Sequence, residues 1–581
     1  MVATILTGAS VLEIANVKIR LREILILFLI WSVLLNIFLV SRLQTVESGH
    51  DLHSINSNSQ SFARLKPIRN HGTPQNQPVK KQRDDGPLLR CESFGGPSNK
   101  AAIDDIVYWN TADPPINKQF HSMYENKHGE AKKFFIYEPD DAGFSNVRIT
   151  FETVVALAKA TGRTLVLAPK MIFHQLYFDH PEGWRSYAYT DFFDISDVPI
   201  ISMEKYLEHI AMTGQLHNAT GEVTFPPGNR TNWDVGITKS ENIKEALPLY
   251  NWISESMVSI GWNRDSCIIP FPYKSDAGIA TMNKEMRNLL SDKTETDAIR
   301  KQSYAGNPIP ANSLMKDRLR ESLANRRQFC YYNETYQNAP SIYMDGHEYT
   351  GIRPLIQFFA YMFFESWEQD LQMKRFVRDH LRFSDIIQCA AARIVNAIRE
   401  IAKKVDDGKN TVGGFDTMHI RRGDFKGLDF YKDGIVDPNE IVSSKYFEPQ
   451  RTVYIATDET DTAFFEPLRR NHTVVFLNDF HHLIADMDPN YYGMIEQLVC
   501  AKGDKFVGTY YSTFSAYINR LRGYHAQKSR SSQAKQGSLN SEYMGHHGNF
   551  RNVMKVSLNP LIFVSLFLVT HSTCPFSGSH I

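Results

Sequence analysis

Apolar residues along this chain alternate between short solid blocks and runs spaced by three and four. Phe134, Phe135, Ile136 and Tyr137 form one block, closed by the polar stretch Pro-Asp-Asp-Ala-Gly that ends at Gly143. Val147, Phe151, Val154, Val155 and Ala158 follow at helical spacing. Ser145 or Asn146 can cap the start of that helix, and Gly162 stands where it ends. Thr164 to Leu167 is a second block, stopped by Pro169. The pattern predicts strand, loop, helix, strand. Such a βαβ unit aims the free amides of a helix N-terminus at the carboxyl end of the strand before it.

The alternation returns further on. Pro354 to Ile401 reads as helix, with Ile386, Ile387, Ala390, Ala391, Ile394 and Ile398 on one face. Thr417, Met418 and Ile420 then mark a buried strand. Thr452–Ala456, Val474–Leu477 and Phe506–Val507 mark three more. Helical patterns lie between them at Phe464, Phe465 and Leu468, and at Met494, Ile495, Leu498 and Val499. A last helix, capped by Ser512 or Thr513, runs through Ile518 and Leu521. Strands alternating with helices predict a parallel sheet. Residues 170–350 carry short apolar runs rich in Tyr, Phe, Trp and Pro, and read as the rest of a first α/β domain with long insertions.

Both ends of the chain depart from this pattern. Ile24 to Val40 is apolar except for Ser32 and Asn36, and Leu43 can extend it to spanning length. Lys18, Arg20 and Arg22 precede it, which predicts a cytoplasmic N-terminus and a lumenal remainder. No small-residue cleavage site follows, so an uncleaved signal anchor is expected. The resulting division is a cytoplasmic tail at 1–23, an anchor at 24–43 and a Ser-, Asn- and Pro-rich stem at 44–100. A first domain follows at 101–375, a second at 376–525, and a polar tail at 526–581 whose Leu558–Val569 segment is apolar. This describes a single-pass type II protein of the endoplasmic reticulum or Golgi membrane.

Composition narrows the function. Lys plus Arg and Asp plus Glu number 64 each, so nothing favours bulk attraction to nucleic acid. Six cysteines, at 91, 267, 330, 389, 500 and 574, lack metal-ligand spacing. In an oxidising compartment they allow up to three disulfides, with connectivity open. Sequons at Asn218, Asn229, Asn333 and Asn471 fall on the expected lumenal side.

The candidate chemistry sits at strand ends. His419, Arg421 and Arg422 stand where the strand through Thr417–Ile420 runs out, and Gly423 and Asp424 turn the chain. Ligands of open α/β sheets bind beyond the carboxyl ends of the strands. A guanidinium there matches a phosphate with its planar fork of donors. Arg422 and Asp424 can pair and set the loop. Gly508 to Phe514 opens the last helix with hydroxyls and free amides, a second anion site.

Together, His-x-Arg-Arg at 419–422, Ala-Thr-Asp at 456–458 and Gly-Thr-x-x-Ser-Thr-Phe-Ser at 508–515 resemble the motifs of the GDP-fucose protein O-fucosyltransferases, in order and spacing. The protein O-fucosyltransferase 2 branch is nearest in pattern. Tyr-Glu-Pro-Asp-Asp-Ala-Gly-Phe-Ser-Asn at 137–146 resembles that family's first loop. The resemblance covers 130–168 and 380–522. It implies a GT-B-like α/β fold with two Rossmann-like domains facing a cleft. It implies inverting, metal-independent transfer of fucose from GDP-fucose, with no cofactor, to a Ser/Thr hydroxyl of a secretory-pathway protein. By the same resemblance Arg421 contacts the β-phosphate, His419 lines the nucleotide site and Asp458 contacts the guanine region. Ser512, Thr513 and Phe514 hold the phosphates or base, and Gly143, Phe144 and Asn146 approach the donor from the first domain. Where that branch has a Glu before the loop glycine, this chain has Ala142, which leaves Asp141 as the candidate base.

Three other readings were weighed. One is a related transferase that uses another nucleotide sugar or a glycan acceptor. Another is a catalytically impaired family member, suggested by Ala142. The third is an adhesion protein displaying Arg422-Gly423-Asp424.

Overall fold

A computed structural model describes residues 11–14, 17–20, 88–109, 119–125, 130–140, 142–171, 173, 176, 186–208, 247–292, 312–323, 326–346, 355–405, 410–427, 446–509, 512–531 and 540–544. The chain forms two compact units, Met1–Lys80 and Lys81–Ile581. In the first, Val11–Ile14 pairs antiparallel with Val17–Arg20. The expected anchor at 24–43 lies outside the described residues. Among the described residues no helix is long and apolar enough to cross a membrane.

The second unit holds two five-stranded sheets, each parallel throughout, a mixed α/β fold. The first contains β1 (Phe134–Tyr137), β2 (Thr164–Leu167), β3 (Ile200–Ser202), β4 (Val258–Ile260) and β5 (Ser341–Met344), in the order β3-β2-β1-β5-β4. All four β1 residues are buried. Phe135 and Tyr137 face one core cluster, while Phe134 and Ile136 face another. This is why the strand reads as a solid apolar block rather than an alternating one.

Helix α1 (Phe144–Ala160) links β1 to β2. It starts earlier than the sequence suggests. Gly143 is its N-cap without a side-chain bond, and Ser145 lies inside the first turn. Its polar residues Arg148, Thr150, Glu152 and Thr153 are buried along with its apolar face. Arg148 Nε meets one Glu152 oxygen at 3.1 Å, and Arg520 of the last helix meets the other. The Arg148 guanidinium also lies over the rings of Phe193, Phe383 and Tyr517. A buried charge left without its partner typically costs about 3–5 kcal/mol, so this triad locks α1 into the rest of the unit.

Helix α2 (Leu247–Ser256) precedes β4. The long helix α3 (Asp385–Val405) leads to the second sheet. That sheet contains β6 (Asp416–Ile420), β7 (Thr452–Thr457), β8 (Thr473–Phe476), β9 (Lys505–Thr509) and β10 (Asn540–Met544), in the order β8-β7-β6-β9-β10. Helix α4 (Tyr492–Cys500) precedes β9, and α5 (Thr513–Ser531) follows it.

Two spans differ from the sequence reading. Residues 88–100 were assigned to a flexible stem. Instead Leu89 and Cys91 are buried there, and Cys91 is disulfide-bonded to Cys389 of α3. The polar tail was placed from 526 onward. Helix α5 continues to Ser531, and β10 pairs with β9. Strand pairing satisfies main-chain groups whatever the side chains, so composition missed β10. A second disulfide joins Cys267 to Cys330, and Cys500 is free and buried.

Candidate functional site

Strand β6 is flanked by β7 and β9, and every one of its residues is buried. His419 therefore lies inside the fold. Its Nδ1 shares a 2.7 Å hydrogen bond with Ser515 Oγ, and its ring stacks on Phe514 with centroids 4.4 Å apart. Burial, with the Arg421 charge beside it, pushes its pKa down to about 3, so the imidazole is neutral at physiological pH. Gly508 is His419's partner across the sheet. A Cβ at position 508 would stand 2.9 Å from Ser515 Cβ, so only glycine lets β9 and the first turn of α5 approach this closely.

Thr509 fixes the strand end. The Arg421 N–H donates to Thr509 Oγ1 at 2.9 Å, and that hydroxyl donates to the His419 carbonyl at 3.0 Å. Arg421 is half-buried, with its guanidinium 5.0 Å from the Phe425 ring centroid. The next turn is built on Asp458. Its Oδ1 accepts the Arg422 N–H at 2.7 Å, and its Oδ2 accepts the Gly423 N–H at 3.0 Å. The motif placed this carboxylate at the guanine; here both its oxygens organise the loop that carries Arg421.

Arg422 Nε bonds Glu459 at 2.8 Å, and Lys426 Nζ bonds the same oxygen at 2.6 Å. The Lys426 hydrogen bond first, then Arg422, hold Glu459 down to about 2 against the opposing effect of desolvation. Arg422 thus pairs with Glu459. The Asp424 side chain lies outside the described residues.

The third motif lies against the same strand end. Ser512 is buried, and its Oγ has no hydrogen-bond partner. Thr513 opens α5, and Phe514 rests between His419 and the Gly493 backbone of α4. One turn along α4, Gln497 Nε2 donates to Ser145 Oγ at 3.1 Å. That bond brings the first turn of α1 against the second sheet's helices. Gly143 and Asn146 arrive with it, and Asn146 Oδ1 is buried without a partner. Phe144 points elsewhere. It is buried and packs on Phe192 and Phe193 at 4.9 and 5.7 Å in the core.

Asp141 lies outside the described residues. Its neighbour Asp140 is buried and accepts the Ala142 N–H at 2.9 Å and the Thr150 hydroxyl at 3.4 Å, so it shapes the loop. Of the sequons, Asn333 and Asn471 are exposed. Asn333 also caps a short helix through Tyr336 N–H. Asn218 and Asn229 lie outside the described residues. Thr509, Ser515, Glu459 and Gln497 were not foreseen. The first two stand within the motif run, where a hydroxyl at a strand end and another one turn into a helix are the signal.

A family model for GDP-fucose protein O-fucosyltransferase matches residues 134–525. The chain belongs to that family, the fucosyltransferases that its motifs resemble; the match does not separate its branches. No curated protein sequence matches the chain. Among solved structures, POFUT1 in complex with GDP-fucose is similar at 14% identity and a TM-score of 0.33, over 73% of this chain and 100% of that one. The fucosyltransferase NodZ from Bradyrhizobium is similar at 13% identity and a TM-score of 0.30, over 68% and 94%.

Proposed function

We propose that the protein transfers fucose from GDP-fucose to a Ser/Thr hydroxyl of a secretory-pathway protein, with inversion at the anomeric carbon and without a metal. The observation that carries this reading is the pair of orphaned atoms, Ser512 Oγ and Asn146 Oδ1. Buried polar groups are nearly always hydrogen-bonded. These two stand on the motif run at the start of α5 and on the first turn of α1, beside the strand end that carries Arg421.

A diphosphate leaving group gathers negative charge as its bond to the sugar breaks. Arg421 and the open amides at the start of α5 stabilise that charge more in the transition state than before it. Asp458, by holding the Arg422 and Gly423 amides, fixes where Arg421 departs from the strand. Neutral His419 keeps Phe514 stacked in place. The donor set stands at the carboxyl end of the second parallel sheet, where ligands of such sheets bind. Two disulfides agree with an oxidising compartment. With the apolar run at 24–43 they support a type II protein with its catalytic unit in the endoplasmic reticulum or Golgi lumen.

The test is GDP binding by the full chain, followed by turnover across a panel of GDP- and UDP-sugars read by mass. The reading expects GDP-fucose to be consumed in preference to the others. Preferential consumption of another nucleotide sugar would overturn the choice of donor.

A further inference from the structure

The donor set leaves one chemical need unmet, a group to take the proton of the attacking hydroxyl. Ala142 holds the position where the resemblance places a carboxylate, and no described carboxylate among the donor residues is free for it. Asp458 and Glu459 are both engaged in the loop. The carboxyl end of the first sheet offers a different arrangement.

From β1 the chain moves outward to β2 and β3, while β5 and β4 lie on the other side of β1. The sheet's order therefore reverses between β1 and β5. In open parallel sheets, ligands bind at such a switch point, beyond the carboxyl ends of the strands. Tyr137 of β1 pairs with Met344 of β5. The next residue on each side is acidic: Glu138 after β1 and Asp345 after β5. The Glu138 N–H continues the ladder to the Met344 carbonyl at 3.1 Å, which fixes Glu138 beside Asp345. The two carboxyl groups act on each other, Asp345 raising the pKa of Glu138. Glu138 is buried and accepts the Tyr343 hydroxyl at 2.8 Å, whereas Asp345 is only half-buried.

A second observation points to a ligand here. Tyr250 of α2 stacks on Tyr343, its ring 6.4 Å away and 22° from parallel. It is buried, the Glu138 charge acts on it, and its hydroxyl has no hydrogen-bond partner. A buried hydroxyl left open beside a carboxyl pair suits a hydroxyl-bearing ligand, which both donates and accepts.

We propose that Glu138 and Asp345 form the proton-accepting pair of the transfer reaction, with Asp345 receiving the proton of the acceptor hydroxyl. This rests on the proposed donor chemistry. The acceptor oxygen forms a bond to the anomeric carbon. The bond from that carbon to the β-phosphate oxygen breaks, and its electron pair leaves on GDP. The hydroxyl proton moves to the Asp345 carboxylate and passes to solvent after the product departs.

Burial, with Asp345 adding to it, pushes Glu138 up to about 7 even though the Tyr343 hydroxyl and the Gly346 N–H favour its ionised form. The titratable groups facing Glu138 are Tyr343 and Asp345 at the end of β5 and Tyr250 on α2, with Glu204 beyond Tyr250. Ionisation of Glu138 near 7 suits proton transfer at neutral pH.

The experiment measures GDP release from GDP-fucose against pH for the full chain and for Glu138→Gln and Asp345→Asn, with water as acceptor. GDP affinity is measured alongside. The wild type is expected to gain rate as pH rises through about 7. Asp345→Asn should lose on the order of 10²-fold or more at unchanged GDP affinity. Glu138→Gln, which keeps an acceptor for Tyr343, should lose the rise in rate through about 7, because the group that titrates there is gone. If Asp345→Asn fails to bind GDP through misfolding, the limb of Glu138→Gln decides. Variants that keep the wild-type rate and limb overturn the pair alone. A wild type that binds GDP but consumes no GDP-fucose overturns the pair as a catalytic device. A wild type that binds no GDP overturns the donor reading, and the pair falls with it.

Discussion

The two parallel sheets end in opposite chemistries. Beyond β6 and β9 stand Arg421, the free amides at the start of α5 and a histidine kept neutral. Beyond β1 and β5 stand two neighbouring acidic residues, one of them buried and raised toward neutrality. The first end suits negative charge that develops during reaction. The second suits a proton that must leave. The same architecture serves both because parallel strands release their side chains at one edge, and the residues just past the last ladder bond decide what that edge attracts.

The largest test of the contrast is at Arg421. Arg421→Ala should lower GDP-fucose turnover by about 10²–10³-fold, the usual loss when one preorganised donor to a developing anion is removed. Arg421→Lys should recover only part of it, since an ammonium cannot match the planar fork. Initial rates at saturating donor check this. An unchanged rate in Arg421→Ala would break the contrast at its cationic end.

The next test uses acidity, because the two ends respond to pH with opposite sign. Glu138 has a folded pKa of about 7, above its unfolded value. Its contribution to stability is complete below the unfolded pKa and is lost as pH rises through about 7. His419 has a folded pKa of about 3, below its unfolded value. Its contribution is present above about pH 6.5 and is lost as pH falls toward about 3. The shifts correspond to about 3 kcal/mol at Glu138 and about 5 kcal/mol at His419. Chemical unfolding followed against pH should show the decline from about 4.5 up to about 7 flattened in Glu138→Gln and the fall toward pH 3 flattened in His419→Asn. The same limb flattened by both variants would mean the ends are not distinct.

A smaller effect is expected at Asp458. Asp458→Ala removes the acceptor for two main-chain amides, and a hydrogen bond to a charged group contributes about 1.5–3 kcal/mol, less where solvent reaches it. Faster hydrogen exchange at the Arg422 and Gly423 amides, with weaker GDP binding, is the expected result. Weaker binding without faster exchange would instead place Asp458 at the nucleotide, as its motif first suggested.

What could be read in the sequence follows the physics of each element. Strands β1, β2, β6 and β7 were legible because buried parallel strands are solid apolar blocks between turn residues. The start of α1 was misplaced because a glycine cap leaves no side-chain signature, while Ser145 and Asn146 carry one. The Arg148–Glu152–Arg520 triad was illegible, since charged residues in a helix read as a solvent face until a partner far along the chain buries them. Strand β10 was hidden in a polar tail. The bonding of Cys91 to Cys389 depends on a fold that brings together residues 298 apart. His419, Arg421 and Ser512 stood out because one motif set held them in order. Glu138 and Asp345 did not, because their adjacency arises from strand pairing and each alone is an ordinary acidic residue after a strand.

The smallest expected effect is at Ser512, where a structural role and a ligand role predict different outcomes. Its Oγ is buried and bonded to nothing in the free protein. Removing a hydrogen-bonded buried hydroxyl costs stability, but removing an orphaned one relieves a desolvated group of its penalty. Ser512→Ala should therefore leave thermal stability unchanged or slightly raised. If the hydroxyl completes its bonding only on a nucleotide, GDP affinity should fall by about tenfold, the worth of one ordinary hydrogen bond. Calorimetric titration of GDP beside a melting curve reads both. A variant that melts earlier and binds GDP normally would assign Ser512 to the packing of α5, and the cationic end would then rest on Arg421 and the helix amides.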